Sequence, residues 1–372
     1  MQETKSIQTI GVMGSGQLGR MFTQSAHRHG YKVSCYSPAS ATPCGQVGAK
    51  EYIGEYTNLE KLSSFLEEID VLTFEFENIP EVALQHIEKT SQEIGLLVCP
   101  SAEAIRIAQN RSKEKSFLQK YSLPTTHFYS IQNDTDYRAI REGLQFPYIL
   151  KINEFGYDGK GQKKISSLQE LDAYIVENST SSIFLEEIVD YQKELSVILA
   201  RFSDGSTSSY PVSENIHRNH ILDTSIHPAV ISKQVEETCQ SYAYRLAEKL
   251  QYVGVLGVEF FLKPNGEVLL NEFAPRPHNS GHFSMNGFAI SQFDLQVRAV
   301  CNLPQPQLNF TGKSIMKNLL GEDMPQLQKQ KQQYLESKHY HLHLYGKEEA
   351  RKGRKMGHWN YTGPLGHQEA FS

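Results

Sequence analysis

Short apolar, β-branched runs alternate with amphipathic stretches through the first hundred residues of the chain. SIQTIGVM (6–13), YKVSCY (31–36) and VLTFEFE (71–77) have strand character. Helical spacing follows Gly19 to His29 and recurs around 58–68 and 80–90. Strands separated by helices of that length predict a parallel, doubly wound sheet. Residues 101–121 read as two helical segments, the second richer in basic residues. A smaller unit then runs to about 190: strand THFYS, a helix, strand PYILKIN (147–153), a glycine-rich loop, strand QKKIS, a helix, and strand SIFLEEIV (182–189). Beyond it come strand KELSVILARF (193–202), a long helix near 233–250, and strands VGVLGVEFFLK (253–263) and GEVLLNEFAP (266–275). Pro264-Asn265-Gly266 is a turn signal that joins the last two. The polar stretch 323–340 reads as a surface excursion, HLHLYG (341–346) as a strand, and GKEEARKGRKMGH (346–358) as a basic tail. The expected fold is mixed α/β and α+β, in units 1–110, 111–190 and 191–372.

Composition narrows the function without specifying it. A net charge of −5 over 372 residues provides no field toward nucleic acid or an anionic membrane. The five cysteines are scattered and none forms a C-x-x-C pair, which argues against zinc or redox chemistry and fits a reducing, cytoplasmic setting. Neither a secretion signal nor a membrane-spanning run is evident.

Four stretches carry candidate chemistry. GSGQLG (14–19) fits G-x-G-x-x-G between a strand and a helix, a setting for phosphate at a helix N-terminus. A dinucleotide reader also needs an acidic residue, or an arginine, after the second strand. CYSPAS (35–40) offers neither, so the nicotinamide reading lacks its second leg. FGYDGKGQ (155–162) follows the strand that carries Lys151; exposed amides and a cation in such a loop make an anion nest, although a glycine-rich hairpin connection is the plainer reading. LEEIVDYQKE (185–194) gathers Glu186, Glu187 and Glu194 at a strand end, beside Ile188 and Val189. Such a group suits ribose and adenine, or is simply a solvated acidic turn. Glu259 and Glu272 lie on strands joined by a short turn and can face one another, with Asn271 alongside. Hard oxygen ligands so placed suit magnesium held together with substrate phosphates. Arg276 and Lys263 are the cations close enough in sequence for an ion-pair alternative.

Taken together, these features resemble the ATP-grasp superfamily. GQLGRM (16–21), FEFEN (74–78), NRSKEK (110–115), GYDGKGQ (156–162), NEFAPRPHNSGH (271–282), SQFD (291–294) and GRKMGH (353–358) are similar, in order, to blocks of the N5-carboxyaminoimidazole ribonucleotide synthetases (PurK type). The resemblance implies a pre-ATP-grasp domain, a two-lobed ATP-grasp unit and a small β-rich C-terminal segment. It implies ATP-dependent carboxylation of 5-aminoimidazole ribonucleotide with bicarbonate, Mg2+ (or Mn2+) as metal, a homodimer, and transient contact with a downstream mutase. By position, Arg111, Lys151, Gly156, Tyr157, Asp158, Gly159, Lys160, Gly161, Gln162, Glu186 to Val189, Glu194, His217, Asn271 and Glu272 would contact ATP. Glu259 and Glu272 would hold the metal. Gly16, Gln17, Glu77, Tyr157, Lys160, Arg276, His278, Asn279, Lys347 and Arg354 would surround the ribonucleotide, with Asp158, Arg276 and Lys347 in catalytic roles. Lys160 stands where relatives often carry arginine, keeping the charge but not the planar fork. Two other readings fit the same motifs: a ligase acting on a different ribonucleotide, such as a formate-using transformylase, and a non-catalytic nucleotide-binding protein. The paired glutamates and the loop lysine argue against the second.

Overall fold

The computed structural model describes residues 7–153, 161–178, 182–364 and 366–371. Its first unit is the expected doubly wound sheet. β1 (Thr9–Met13), β2 (Lys32–Ser37), β3 (Lys50–Ile53), β4 (Val71–Phe74) and β5 (Leu97–Val98) lie in the order β3-β2-β1-β4-β5, and all pairs are parallel. Parallel neighbours need crossovers; α1 (Gln17–Arg28), α2 (Leu59–Leu66) and α3 (Glu81–Ile94) supply those after β1, β3 and β4, and a segment with one 3-10 turn, Gly45–Val47, joins β2 to β3. Winding reverses between β1 and β4, so the crevice beyond their C-terminal ends is the switch point where such sheets bind ligands. Gly14–Gly19 and Glu75–Glu77 follow those two ends.

α4 (Ala102–Ala108) and α5 (Arg111–Lys120) come next, with Ser101 and Asn110 as their N-caps. Leu118 and Leu123 join Val197, Val258 and Phe273 in the core of the third unit. By packing, α5 therefore goes with the large unit, whereas the sequence reading starts the small one at 111. The small unit has its own core, from Ile131 to Leu185. It is built on β6 (Phe128–Ile131), β7 (Tyr148–Ile152), β8 (Gln162–Ile165) and β9 (Ile183–Glu187) in the antiparallel order β6-β9-β7-β8. α6 (Asp134–Ile140) and α7 (Leu168–Glu177) place Tyr137 and Leu171 in that core.

The large sheet comprises β10 (Lys193–Arg201), β11 (Thr207–Ser209), β12 (Ser213–Arg218), β13 (Ile221–His227), β14 (Gly254–Leu262), β15 (Val268–Ala274), β16 (Ser314–Leu320), β17 (Tyr340–Leu344) and β18 (Lys355–Thr362). Its order is β15-β14-β10-β12-β13-β16-β18-β17, with β11 paired to β10. α8 (Lys233–Lys249) covers it through Val235, Cys239, Ala243 and Leu246. After the single turn α9 (Ser284–Gly287), α10 (Gln292–Val300) is buried on nearly every side, because Phe293 and Val297 face the first unit's core and Leu295 and Ala299 the large sheet. Asp294 fastens this junction, accepting from Ser25 and from Arg28, the latter at 2.7 Å.

The polar stretch expected as a surface excursion holds a helix, α11 (Met324–Glu336), which packs Leu327 against Trp359. Its Gln and Lys residues are the solvated face of an amphipathic element. One expectation about the C-terminal part is corrected. The basic tail is a hairpin connection: β18 inserts between β16 and β17 and is buried from Met356 to Tyr361. No helix among the described residues is long and apolar enough to cross a membrane.

Candidate active site

Glu259 and Glu272 stand directly opposite one another across β14 and β15, as the hairpin spacing predicts. On the other side of β14, Ser196 of β10 is opposite Glu259; Glu194, two residues away, shares its face. Strict alternation would turn Asn271 away from Glu272. The register shifts beside Glu259, however, and Asn271 and Glu272 both lie off the core side of β15. This is a bulge, a device that re-aims side chains next to sites.

Burial, then the facing charge of Glu272, pushes the Glu259 carboxyl up to about 8. Arg111 Nη1 lies 3.5 Å from Glu272 and His278 Nδ1 3.7 Å from Glu259, beyond short charge-assisted hydrogen bonds. Arg111 is a cation beside the pair, whereas burial, then the charge of Arg276, holds the His278 imidazole well below its ordinary value; Lys263 pairs with Glu267 and Arg276 with Glu77 instead. Magnesium takes one or two carboxylates and completes its shell with phosphate oxygens and water. Glu259 and Glu272 fit that requirement, since a cation would cancel a repulsion that Arg111 and His278 leave standing. Ser196 Oγ, in the same row, and both amide atoms of Asn279, next to His278, are buried without partners among the described atoms. No group of three or more His, Cys, Asp or Glu that could hold a metal ion is found among the described residues.

His217 donates through Nδ1 to Glu194. Burial pulls its pKa down, but the hydrogen bond to Glu194 and the charges of Glu259, Glu194 and Glu272 outweigh it, leaving the value above that of an ordinary imidazole. A raised histidine contributes stability below its unfolded pKa, and that stability is lost as pH rises through the folded value. Glu194→Gln should therefore lower the His217 pKa in the metal-free protein, read by histidine NMR titration. An unchanged midpoint would remove Glu194 as its main support.

Lys151, on β7, reaches across to Glu186 Oε2, and Lys115, from α5, lies 2.8 Å from Oε1. Thr126 also donates to Oε1. Burial alone would push the Glu186 carboxyl up; the charges of Lys115 and Lys151 outweigh it and hold it well below the usual range. The Glu186 side chain, expected to meet the nucleotide, is a buried counter-ion to Lys115 and Lys151 in this structure. Glu187 is half exposed, 3.3 Å from His127. Ile188 and Tyr191 expose apolar surface, and Tyr191 stacks on Phe261 with centroids 4.7 Å apart. Gly156, Tyr157, Asp158, Gly159 and Lys160 lie outside the described residues. Gly161 leads into β8, which pairs antiparallel with β7 and sets Gln162 opposite Lys151. Gly161 has φ +73°, and a Cβ there would come within 2.7 Å of Ile152.

At the switch point the glycine turn is already filled. Glu75 accepts from the Gly16 amide and, at 2.7 Å, from that of Gly19. Gly14, at φ +103°, is kept bare by the same side chain, whose Cγ lies 2.4 Å and Oε1 2.6 Å from where a Cβ would sit. An internal anion occupies the α1 N-terminus, where a bound phosphate would otherwise lie. The Gly16 amide, placed near the ribonucleotide by the resemblance, is thus engaged by Glu75, and Gln17 is the first residue of α1. Glu77, in the same FEFEN block, takes both oxygens to Arg276, at 2.6 and 3.1 Å. Burial opposes ionisation of Glu77, but Arg276 more than offsets it and holds the carboxyl below its ordinary value.

The β17–β18 connection is tied to the first unit by Gln46 Nε2, which donates to Gly346 O at 2.8 Å. It carries Lys347, whose Nζ donates to Lys355 O at 2.7 Å, and Arg354, which donates to Glu349 O at 2.9 Å. The charge of Lys347 acts on Glu75, and that of Lys355 on Glu259, His278 and His282. Sequence reasoning missed Glu75, Glu114, Lys115, Tyr191 and Lys355. Glu114 accepts from Phe273 N at 2.7 Å, and burial, then Glu272, pushes it up to about 8. Three of the four buried positions of α5, Ser112, Glu114 and Lys115, are polar, with Leu118 the fourth.

A small lysine-bearing sheet hinged against a large antiparallel sheet with paired glutamates is the arrangement of ATP-grasp enzymes, and residues 116–293 match the ATP-grasp domain. Residues 7–109 match the ribonucleotide synthetase preATP-grasp domain, and 314–368 the phosphoribosylaminoimidazole carboxylase C-terminal domain. The chain belongs to the N5-carboxyaminoimidazole ribonucleotide synthase family. It is 40% identical to the synthase of Brucella melitensis, over 94% of this chain and 95% of that one. It is 38% identical to that of Bacillus subtilis, over 94% and 90% respectively. The Staphylococcus aureus synthetase complexed with ADP superposes with a TM-score of 0.90 at 33% identity, covering 99% of this chain and 96% of that one. The Aspergillus clavatus synthase with ADP and 5-aminoimidazole ribonucleotide superposes at 0.87 and 30% identity, covering 98% and 96%.

Proposed function

We propose that this enzyme carboxylates 5-aminoimidazole ribonucleotide with bicarbonate, converting ATP to ADP and phosphate in purine biosynthesis. The observation that carries the reading is the direct opposition of Glu259 and Glu272 on the sheet face that also bears Glu194. That face suits a divalent ion shared with a triphosphate, which would neutralise charge at the transferred phosphoryl group. Bicarbonate is a poor electrophile until ATP phosphorylates one of its oxygens. The exocyclic amine then attacks the resulting carboxyphosphate, or CO2 released from it, and phosphate leaves.

Lys151 would bind phosphate oxygens, and Ile188 with the Tyr191–Phe261 stack would meet the base. Arg276, oriented by Glu77, and Asn279, whose amide is buried without a partner, would hold bicarbonate. Asp158 would take the amine proton. Lys347 and Arg354 would clamp the ribonucleotide phosphate, with Glu75 instead of a ligand anion closing the α1 N-terminus. Assembly as a homodimer, and transient transfer of the labile product to a mutase, belong to the same proposal.

ADP release measured at fixed bicarbonate should require the ribonucleotide and should not be restored by formate. Formate-dependent turnover would move the chain to a transformylase reading. Lys347→Ala should raise the ribonucleotide KM by about tenfold or more and leave that for ATP nearly unchanged. Equal loss of both, or of neither, would count against the phosphate clamp.

A further inference from the structure

We propose that Lys115 is a positioning residue for nucleotide binding: it keeps the Glu186 carboxylate paired so that Lys151 can leave it for a triphosphate. The inference rests on the reading of Lys151 as a phosphate ligand, and it adds a residue to which neither the glycine loop nor the paired glutamates point.

Lys115 Nζ lies 2.8 Å from Glu186 Oε1 and donates to the Thr125 and Thr126 hydroxyls at 2.8 and 2.9 Å. An ammonium has three protons, so this one is fully engaged. Its side chain is only 4% exposed. Lys151 takes the other carboxylate oxygen from a more open side, at 14% exposure. Two cations thus share one buried anion, and the excess positive charge sits on the more accessible of the two.

The placement of these groups matters as much as their charge. Lys115 stands on α5, which packs with the large unit, whereas Lys151 and Glu186 stand on the small sheet. Thr125 and Thr126 form the chain between the units, and Thr125 bridges to Leu270 of β15, donating to its carbonyl at 2.7 Å. Lys115 therefore ties the small sheet to the large unit at the connection between them.

Without Lys115, Lys151 and Glu186 would form a closed one-to-one pair. Drawing Lys151 onto a phosphate would then strand a buried carboxylate, which is strongly unfavourable. With Lys115 in place, Glu186 retains a fixed partner whichever way Lys151 points. If Lys115 were only a packed, hydrogen-bonded residue, its loss would not be repaired by removing the charge on Glu186.

That difference sets the test. Lys115→Met should raise the ATP KM and the ADP Kd by about tenfold or more, with the ribonucleotide KM unchanged and kcat altered by less than about threefold. Lys115→Met/Glu186→Gln should return both nucleotide constants to within about threefold of wild type, since Lys151 then has no competing counter-ion. An unchanged ATP KM in Lys115→Met, or a rise that Glu186→Gln does not reverse, would overturn the proposal. If Lys115→Met does not fold, the double variant decides: near-normal nucleotide binding supports the role and a persistent tenfold loss refutes it. Lys151→Met is the control for the underlying reading, and an unchanged ATP KM there would overturn that reading and this inference with it.

Discussion

Glu272→Gln should reduce bicarbonate-dependent ADP formation on the order of a thousandfold, while making the metal-free protein more stable. Activity falls because one of two facing carboxylates loses the charge that would hold a divalent ion against the triphosphate. Stability rises because Glu272 contributes to pushing both Glu259 and Glu114 up to about 8. The sign follows from linkage. A carboxyl raised in the folded state binds more protons there than in the unfolded chain between its ordinary value and about 8, so the metal-free protein loses stability as pH rises through that window. Thermal denaturation at pH 6 and pH 8 should show this slope in the wild type and a flatter one in Glu272→Gln. Mg2+ with ADP should stabilise the wild type more at the higher pH, where the carboxylates are ionised. Near-normal turnover would remove Glu272 from the metal role, and identical pH slopes would remove the repulsion account.

Arg276→Ala should lose both fold stability and activity. It leaves Glu77 in a largely enclosed site without the guanidinium that holds both of its oxygens. Breaking such a pair costs about 3 kcal/mol, which corresponds to a fall in Tm on the order of 5 °C or more. Glu77 is held below its ordinary value, so the pair's contribution is present above the unfolded pKa and disappears as pH falls through the folded one. Turnover should drop about a hundredfold or more, because the planar donor fork proposed to hold bicarbonate is lost. Arg276→Lys should recover part of the stability and little of the activity, since it restores charge without geometry. A variant as stable as wild type at neutral pH would show that the pair is not structural.

Much of the architecture was legible in the chain. Helical and strand periods separate cleanly in residues 6–98, where central parallel strands must be apolar and their crossovers amphipathic. The hairpin that sets Glu259 against Glu272 was legible from two β-rich runs around a Pro-Asn-Gly turn. The C-terminal part was not. The Lys/Arg-rich residues 346–354 lead directly into β18, which is buried between β16 and β17. The Gln-rich helix α11 has too narrow an apolar stripe to stand out.

The site divides along the same line. Residue type and spacing singled out the carboxylates, Lys151 and Arg276 as candidates, because those chemistries are scarce and their motifs local. Pairing across the units was not legible. Glu75 and Glu77 are two residues apart in FEFEN, yet one caps α1 and the other holds Arg276, some 200 positions away. Asn271 and Glu272 share a face only through a bulge.

From its order of residues alone, this chain determined its ATP-grasp character, its two metal-type glutamates and its glycine loop, because periodicity and motif chemistry act over a few residues. The tertiary structure alone decided which charges meet: Glu75 in the α1 turn, Lys115 and Lys151 on one Glu186 carboxylate, and Glu77 on Arg276. A buried charge is stable only where a partner from another element reaches it, and that partner is a property of the fold.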